Sequence, residues 1–151
     1  MKKFSFNLRS VETVRSIREL RAREVFSAAV AAQAAAQQEL LNTQARVQEL
    51  EGVLVAERSA TFRPADQVSF INEYVLQRRA EQLAVNELAK ALKNMEECRE
   101  RWIACRRDVR VIEKLETKAR ERHRLDCEHE EQSIMDDRVN SLVGRASLLI
   151  S

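Results

Sequence analysis

Two histidines and three cysteines are the residues of this 151-residue chain best suited to hold a metal or attack a substrate. His123 and Cys127 stand four apart, on one face of any helix that contains them, and could begin a zinc site. Such a site needs a third and a fourth ligand, and no second pair accompanies them. A solvated helix surface is therefore the stronger reading. Cys98 and Cys105 share a helix face but lie about 10 Å apart along it, too far to bridge. An odd number of cysteines argues against a disulfide framework and fits reduced thiols used as small apolar residues. Asp136 and Asp137 are neighbours in sequence, so on a helix they diverge and cannot share one substrate. Gly52 and Gly144 stand alone, which excludes a glycine-rich phosphate loop. The expectation is no enzyme, no metal and no cofactor, but a binding or mechanical part.

The elements that carry these residues follow from composition. Two Gly and one Pro in 151 residues leave almost no turn chemistry, while 33% of the chain is charged and only 5% aromatic. Sheet and α/β folds need many connections, each with its own turn residues. Ala, Glu, Arg, Leu and Gln in quantity suit long helices and coiled coils instead. The one credible break is Arg58 to Pro64, with Pro64 at the first turn of a new helix and Asp66 complementing its dipole. The sequence predicts an all-α, single coiled-coil domain over 1–151. It consists of a helix at about 6–57, a turn at about 58–63, a helix at about 64–144 ended by Gly144, and a tail at 145–151. The short connection makes the two helices antiparallel.

Apolar spacing supplies the seam. Phe26, Ala29, Gln33, Ala36, Leu40, Thr43, Val47, Leu50 and Leu54 follow alternating steps of three and four. Val85, Leu88, Leu92 and Met95 keep the rhythm in the second helix. Trp102, Cys105, Val109 and Ile112 resume it after a three-residue slip at Cys98, which reads as a stammer. Leu125, Glu128, Gln132, Met135, Val139, Leu142, Ala146 and Leu149 step regularly again. Seven of the nine residues from Ala28 to Ala36 are Ala, so little area is buried there. Polar Gln33, Thr43, Arg99, Glu128 and Gln132 weaken the seam and help fix its register.

Helical rise gives lengths of roughly 75 Å and roughly 120 Å for the two arms. Residue 8 then comes beside residue 113 or so, and everything past about Lys118 projects as an unpaired helix. That projection carries an apolar stripe, the usual mark of a partner surface. Marginal packing beyond Asp137 predicts a fraying end.

Net charge is only +2, but its distribution is uneven. Ten basic and five acidic residues lie between Arg99 and Arg124; six acids and no Lys or Arg follow between Leu125 and Asp137. This is either a docking surface or an ion-paired solvated face. Interleaved acids argue against a nucleic-acid surface. No signal-peptide core follows the basic start, and no window is apolar enough to span a membrane, so a cytoplasmic protein is expected.

The opening Phe4-x-Phe6-x-Leu8-x-x-Val11-x-x-Val14-Arg15 resembles the start of the flagellar FliJ protein family. Val111-Ile112-Glu113-Lys114-Leu115, followed by Glu130-Glu131 and Met135-Asp136-Asp137, resembles that family's C-terminal signature. An Asp-Asp pair stands where Asp-Glu is commoner. The resemblance implies a stalk and export chaperone of the flagellar type III export apparatus, peripheral to the inner membrane. Its implied partners are the hexameric export ATPase ring, the export gate membrane protein and substrate-specific export chaperones. It assigns Leu8, Val11, Glu113, Lys114, Leu115, Glu130, Glu131, Asp136 and Asp137 to the ring, and Phe70 and Tyr74 to the gate. For Phe70 and Tyr74 two readings stand side by side: anchors for a partner, or packing against Leu54 and Val55 across the turn. The alternatives for the whole chain are a virulence-secretion stalk of the same architecture and an unrelated coiled coil that self-associates through Leu125 to Leu149.

Overall fold

A computed structural model describes residues 3–57 and 63–149. The chain is all-α: helix α1 runs Arg9–Glu57 and helix α2 runs Pro64–Leu149, the two pack against each other, and no strand occurs among the described residues. The expected turn at about 58–63 lies, apart from Arg63, outside the described residues. The start of α2 is as read from Pro64: the Arg63 carbonyl accepts from the Asp66 and Gln67 N–H groups, and Pro64 occupies a position whose missing N–H costs nothing.

Two boundaries differ from expectation. Helix α1 begins at Arg9 rather than near residue 6, because Lys3 to Phe6 are not helical. The signal was present in Phe4-x-Phe6-x-Leu8, whose period of two is that of extended chain. At the other end α2 does not stop at Gly144. Its backbone has no positive φ there, so it makes no left-handed cap, and the Ser147 hydroxyl donates to the Gly144 carbonyl inside the continuing helix.

The chain forms two compact units. The unit Glu19–Cys105 is an antiparallel pair of helix segments. Its covered seam positions on α1 are Glu19, Ala22, Phe26, Ala29, Gln33, Ala36, Leu40, Thr43, Val47 and Leu50, with Gln44 and Glu57 half-covered off that rhythm. On α2 they are Phe70, Tyr74, Gln77, Glu81, Ala84, Leu88, Ala91, Met95, Cys98, Trp102 and Cys105, with Ile103 half-covered beside them. Both series alternate steps of three and four, the coiled-coil rhythm. Leu54, expected on the seam, is 40% exposed.

The α2 series corrects the expected stammer. Ala84, Ala91 and Cys98 hold the places assigned to Val85, Leu92 and Arg99, and the rhythm runs through Cys98 without a slip. Val85 and Leu92 are exposed, and Arg99 is a solvent-facing ion-pair partner of Glu96. Close contacts of Glu19 with Trp102, Phe26 with Trp102 and Glu51 with Tyr74 fix the register. That register sets Ala22 level with Trp102, Ala29 with Met95, Ala36 with Leu88 and Leu40 with Ala84. Large side chains thus face small ones, which keeps packing dense in a seam only one residue thick. Deeply buried Thr43 returns its hydroxyl to the Glu39 carbonyl, so that group is satisfied within its own helix.

The second unit comprises Met1–Arg18 with Arg106–Ser151. Its α2 seam continues through Val109, Ile112, Glu116, Ala119 and His123, and Ile112 is its deepest residue at 3% exposure. Facing them, α1 offers charged residues, Glu12 and Arg15, at the half-covered positions. Arg15 donates to the Asp108 carbonyl at 3.1 Å and Arg9 pairs with Glu116 at 3.2 Å. Their aliphatic stems can cover apolar surface while the charged ends stay wet.

Candidate partner-binding surface

Within the unit Met1–Arg18 with Arg106–Ser151, helix α2 divides into a covered and an uncovered stretch. Residue 9 lies beside residue 116, close to the register expected from helical rise. Coverage nevertheless extends further along α2 than Lys118, because the non-helical residues before α1 lie against it. Phe4 meets the His123 ring edge-on at 5.5 Å between centroids, and the Arg120 guanidinium lies 4.8 Å from the Phe4 centroid. Phe4 thus closes the seam with one aromatic and one cation contact. Cys127 is half-covered, and every residue from Glu128 to Leu148 is exposed.

The bare helix has two distinct faces. The expected stripe through Leu125, Met135, Val139 and Leu142 is displaced by two residues from the seam rhythm, roughly 200° round the helix. It is therefore a new face and not a continuation of the seam. Its members are 52–67% exposed. Glu130 and Asp137 instead fall on the seam rhythm itself, with Glu131 and Asp136 next to them, and all four are exposed. An apolar face and an acidic face on one uncovered helix give a partner both a surface to bury and a charge to match.

The remaining assigned residues divide in the same way. Glu113, Lys114 and Leu115 are exposed, whereas their neighbour Ile112 carries the packing. Leu8 and Val11 are 39% and 37% exposed and flank the charged seam positions of α1. Leu115 forms part of the wall of a cavity of about 340 Å³ together with Phe4, Lys118, Ala119 and Arg122. The structure therefore keeps Leu8, Val11, Glu113, Lys114, Leu115 and the acidic group in one unit. Phe4, Lys118 and Arg122 line this cavity although none of them was assigned to a partner from the sequence.

Phe70 and Tyr74 belong to the other unit, Glu19–Cys105. Both are half-covered and take seam positions, and the Tyr74 hydroxyl donates to Glu51 at 3.0 Å. That hydrogen bond, followed by desolvation, raises the Tyr74 phenol above its ordinary value of 10.0. Of the neighbours expected to pack against these rings, Leu54 is 40% and Val55 68% exposed.

His123 and Cys127 do come together, with Sγ 3.8 Å from Nδ1. His123 is half-covered beneath Phe4 instead of standing on a solvated surface, which corrects the expectation for this residue. Among the described residues no group of three or more His, Cys, Asp or Glu is placed to hold a metal ion. Cys98, Cys105 and Cys127 are free thiols. No described helix is long and apolar enough to cross a membrane.

No curated protein and no solved structure matches the chain. A family model described as "Flagellar FliJ protein" matches residues 4–147, nearly the whole chain, from Phe4 at the closed end of the seam to Ser147 near the end of the bare helix. The two-helix architecture agrees with that match, and the chain belongs to the flagellar FliJ protein family.

Proposed function

We propose that this chain is a stalk of the flagellar export apparatus that inserts the bare part of α2 into the hexameric export ATPase ring. A role in flagellar export comes with the family. The observation that carries the finer reading is the uninterrupted exposure of Glu128 to Leu148 beyond a closed seam. An 86-residue helix that keeps apolar Met135, Val139 and Leu142 in water does so at a cost unless a partner covers them. The acids Glu130, Glu131, Asp136 and Asp137 would set orientation in the ring, and Leu8, Val11, Glu113, Lys114 and Leu115 would meet its rim. Phe70 and Tyr74 would reach the export gate with the halves that the seam leaves uncovered. Substrate-specific export chaperones complete the proposed partners, at a site peripheral to the inner membrane.

The test is to mix the purified chain with its export ATPase and measure oligomerisation and ATP turnover. Binding and faster turnover are expected, with Val139→Asp and Leu142→Asp abolishing both while leaving the helical signal intact. A folded, helical chain that does not bind the ATPase overturns the proposal.

A further inference from the structure

The cavity beneath Phe4 has a chemistry of its own. Phe4, Leu115 and Ala119 give it apolar lining, and Lys118 and Arg122, one helical turn apart, line it as well. The neighbouring cations have partners: Arg120 bonds Glu116 through two nitrogens at 3.1 and 2.7 Å, and Arg124 pairs with Glu128 at 3.6 Å. Lys118 and Arg122 have no hydrogen bond or ion pair among the described residues, so both charges are available to an incoming anion. Asp126 is the one carboxylate among the described lining residues, against the two cations. Phe4 is itself held by its contacts with His123 and Arg120, which limits the reordering that binding would require.

We infer that this cavity is a receptor for an acidic segment of a partner protein in which a carboxylate lies next to a bulky apolar side chain. The carboxylate meets Lys118 and Arg122, with the guanidinium able to take it bidentately. The apolar side chain meets the apolar lining and covers Leu115, which is 42% exposed. A volume of about 340 Å³ is at the small end of ligand pockets, suited to one or two side chains of a peptide. A phosphate polymer fits poorly, since Glu113, Glu116, Glu121 and Asp126 interrupt the positive charge along α2. The inference names the partner chemistry at the same end as the proposed ring contact and depends on that reading only for the partner's identity.

The experiment is a nuclear magnetic resonance titration of the full chain with a terminally blocked peptide alternating leucine and glutamate. The same peptide with lysine for glutamate, and inorganic phosphate alone, serve as the other two arms. Expected are saturable shifts at Phe4, Leu115, Lys118, Ala119 and Arg122 with the acidic peptide only, weakened about tenfold or more in the Lys118→Glu/Arg122→Glu double variant. Lys118→Gln/Arg122→Gln, which keeps the stems, should weaken binding by a smaller factor. No saturable shift, equal shifts with the lysine peptide, or shifts with phosphate alone overturn the inference. Applied to the export ATPase, the variants separate the two proposals. Unchanged ATPase binding by the charge-reversed chain removes the receptor and leaves the stalk. Peptide binding without any ATPase binding removes the stalk and leaves the receptor.

Discussion

Trp102 donates its indole N–H to Glu19 at 2.8 Å while its ring stacks on Phe26 at 5.5 Å and 12°. One side chain thus joins a charge-assisted hydrogen bond to an aromatic stack across the two helices of the Glu19–Cys105 unit. Both contacts restrict the seam to one register, because a shift of one heptad would separate all three residues.

This is the only tryptophan, so its fluorescence reports that junction alone. Glu19→Gln keeps an acceptor but loses the charge and should lower unfolding stability by about 1 kcal/mol. Phe26→Ala should cost about 2–3 kcal/mol, below the range for a fully buried ring because Phe26 is only half-covered. Denaturant unfolding followed by Trp102 emission measures both. Equal, negligible effects would show that the junction carries no stability.

The continuous α2 seam makes opposite predictions for adjacent residues. Leu92→Gln should change stability by no more than about 0.5 kcal/mol, since Leu92 is 42% exposed. Ala91→Leu should cost about 1–3 kcal/mol by overpacking a position level with Gln33. A stammer at Cys98 would reverse that order. Thermal unfolding of the two variants reads the difference.

Much of the seam was legible because its large members announce themselves: Phe26, Leu40, Val47 and Leu50 on α1, Leu88, Met95 and Trp102 on α2. The slip at Cys98 was misread where small residues own the seam. Ala84 and Ala91 carry little hydrophobic signal, and Val85 and Leu92 beside them carry more, although they face water. The charged seam positions Glu12, Arg15 and Glu19 were invisible for the related reason that a polar side chain covers the seam with its stem. Phe4 needed a different period, two instead of three and a half. The apolar stripe of the last turns was seen, but its offset from the seam appears only once the covered residues fix where the seam lies.

Tyr74 is the only tyrosine, so phenolate absorbance follows this site without interference. Its acceptor Glu51 and partial desolvation hold the phenol protonated above the usual 10.0. With the folded value raised, the stabilising contribution is complete below pH about 10 and is lost as pH rises through the folded value. Alkaline titration should therefore show Tyr74 ionising later than free tyrosine, and Glu51→Gln should move it back down. A normal titration in both chains would remove the Glu51 hydrogen bond from the account.

Gly52 and Gly144 lie within helices, and nothing stands within 4 Å of where a Cβ would be. Gly52→Ala and Gly144→Ala should each favour helix by about 0.5–1 kcal/mol. Gly52→Ala should appear as a higher Tm; Gly144→Ala, in the bare stretch, should appear as slower local amide exchange with little change in Tm. Loss of helical signal in either variant would mean that the glycine is needed for a bend.

In the proposed function, the uncovered end of α2 meets the export ATPase. Hydrogen–deuterium exchange of the full chain, alone and with the ATPase, tests it most directly. Exchange is expected to slow between Glu128 and Leu148 when the ATPase is added, with lesser slowing around Leu115. Protection confined to the Glu19–Cys105 unit, or unchanged exchange beyond Cys127 in a demonstrated complex, would contradict it.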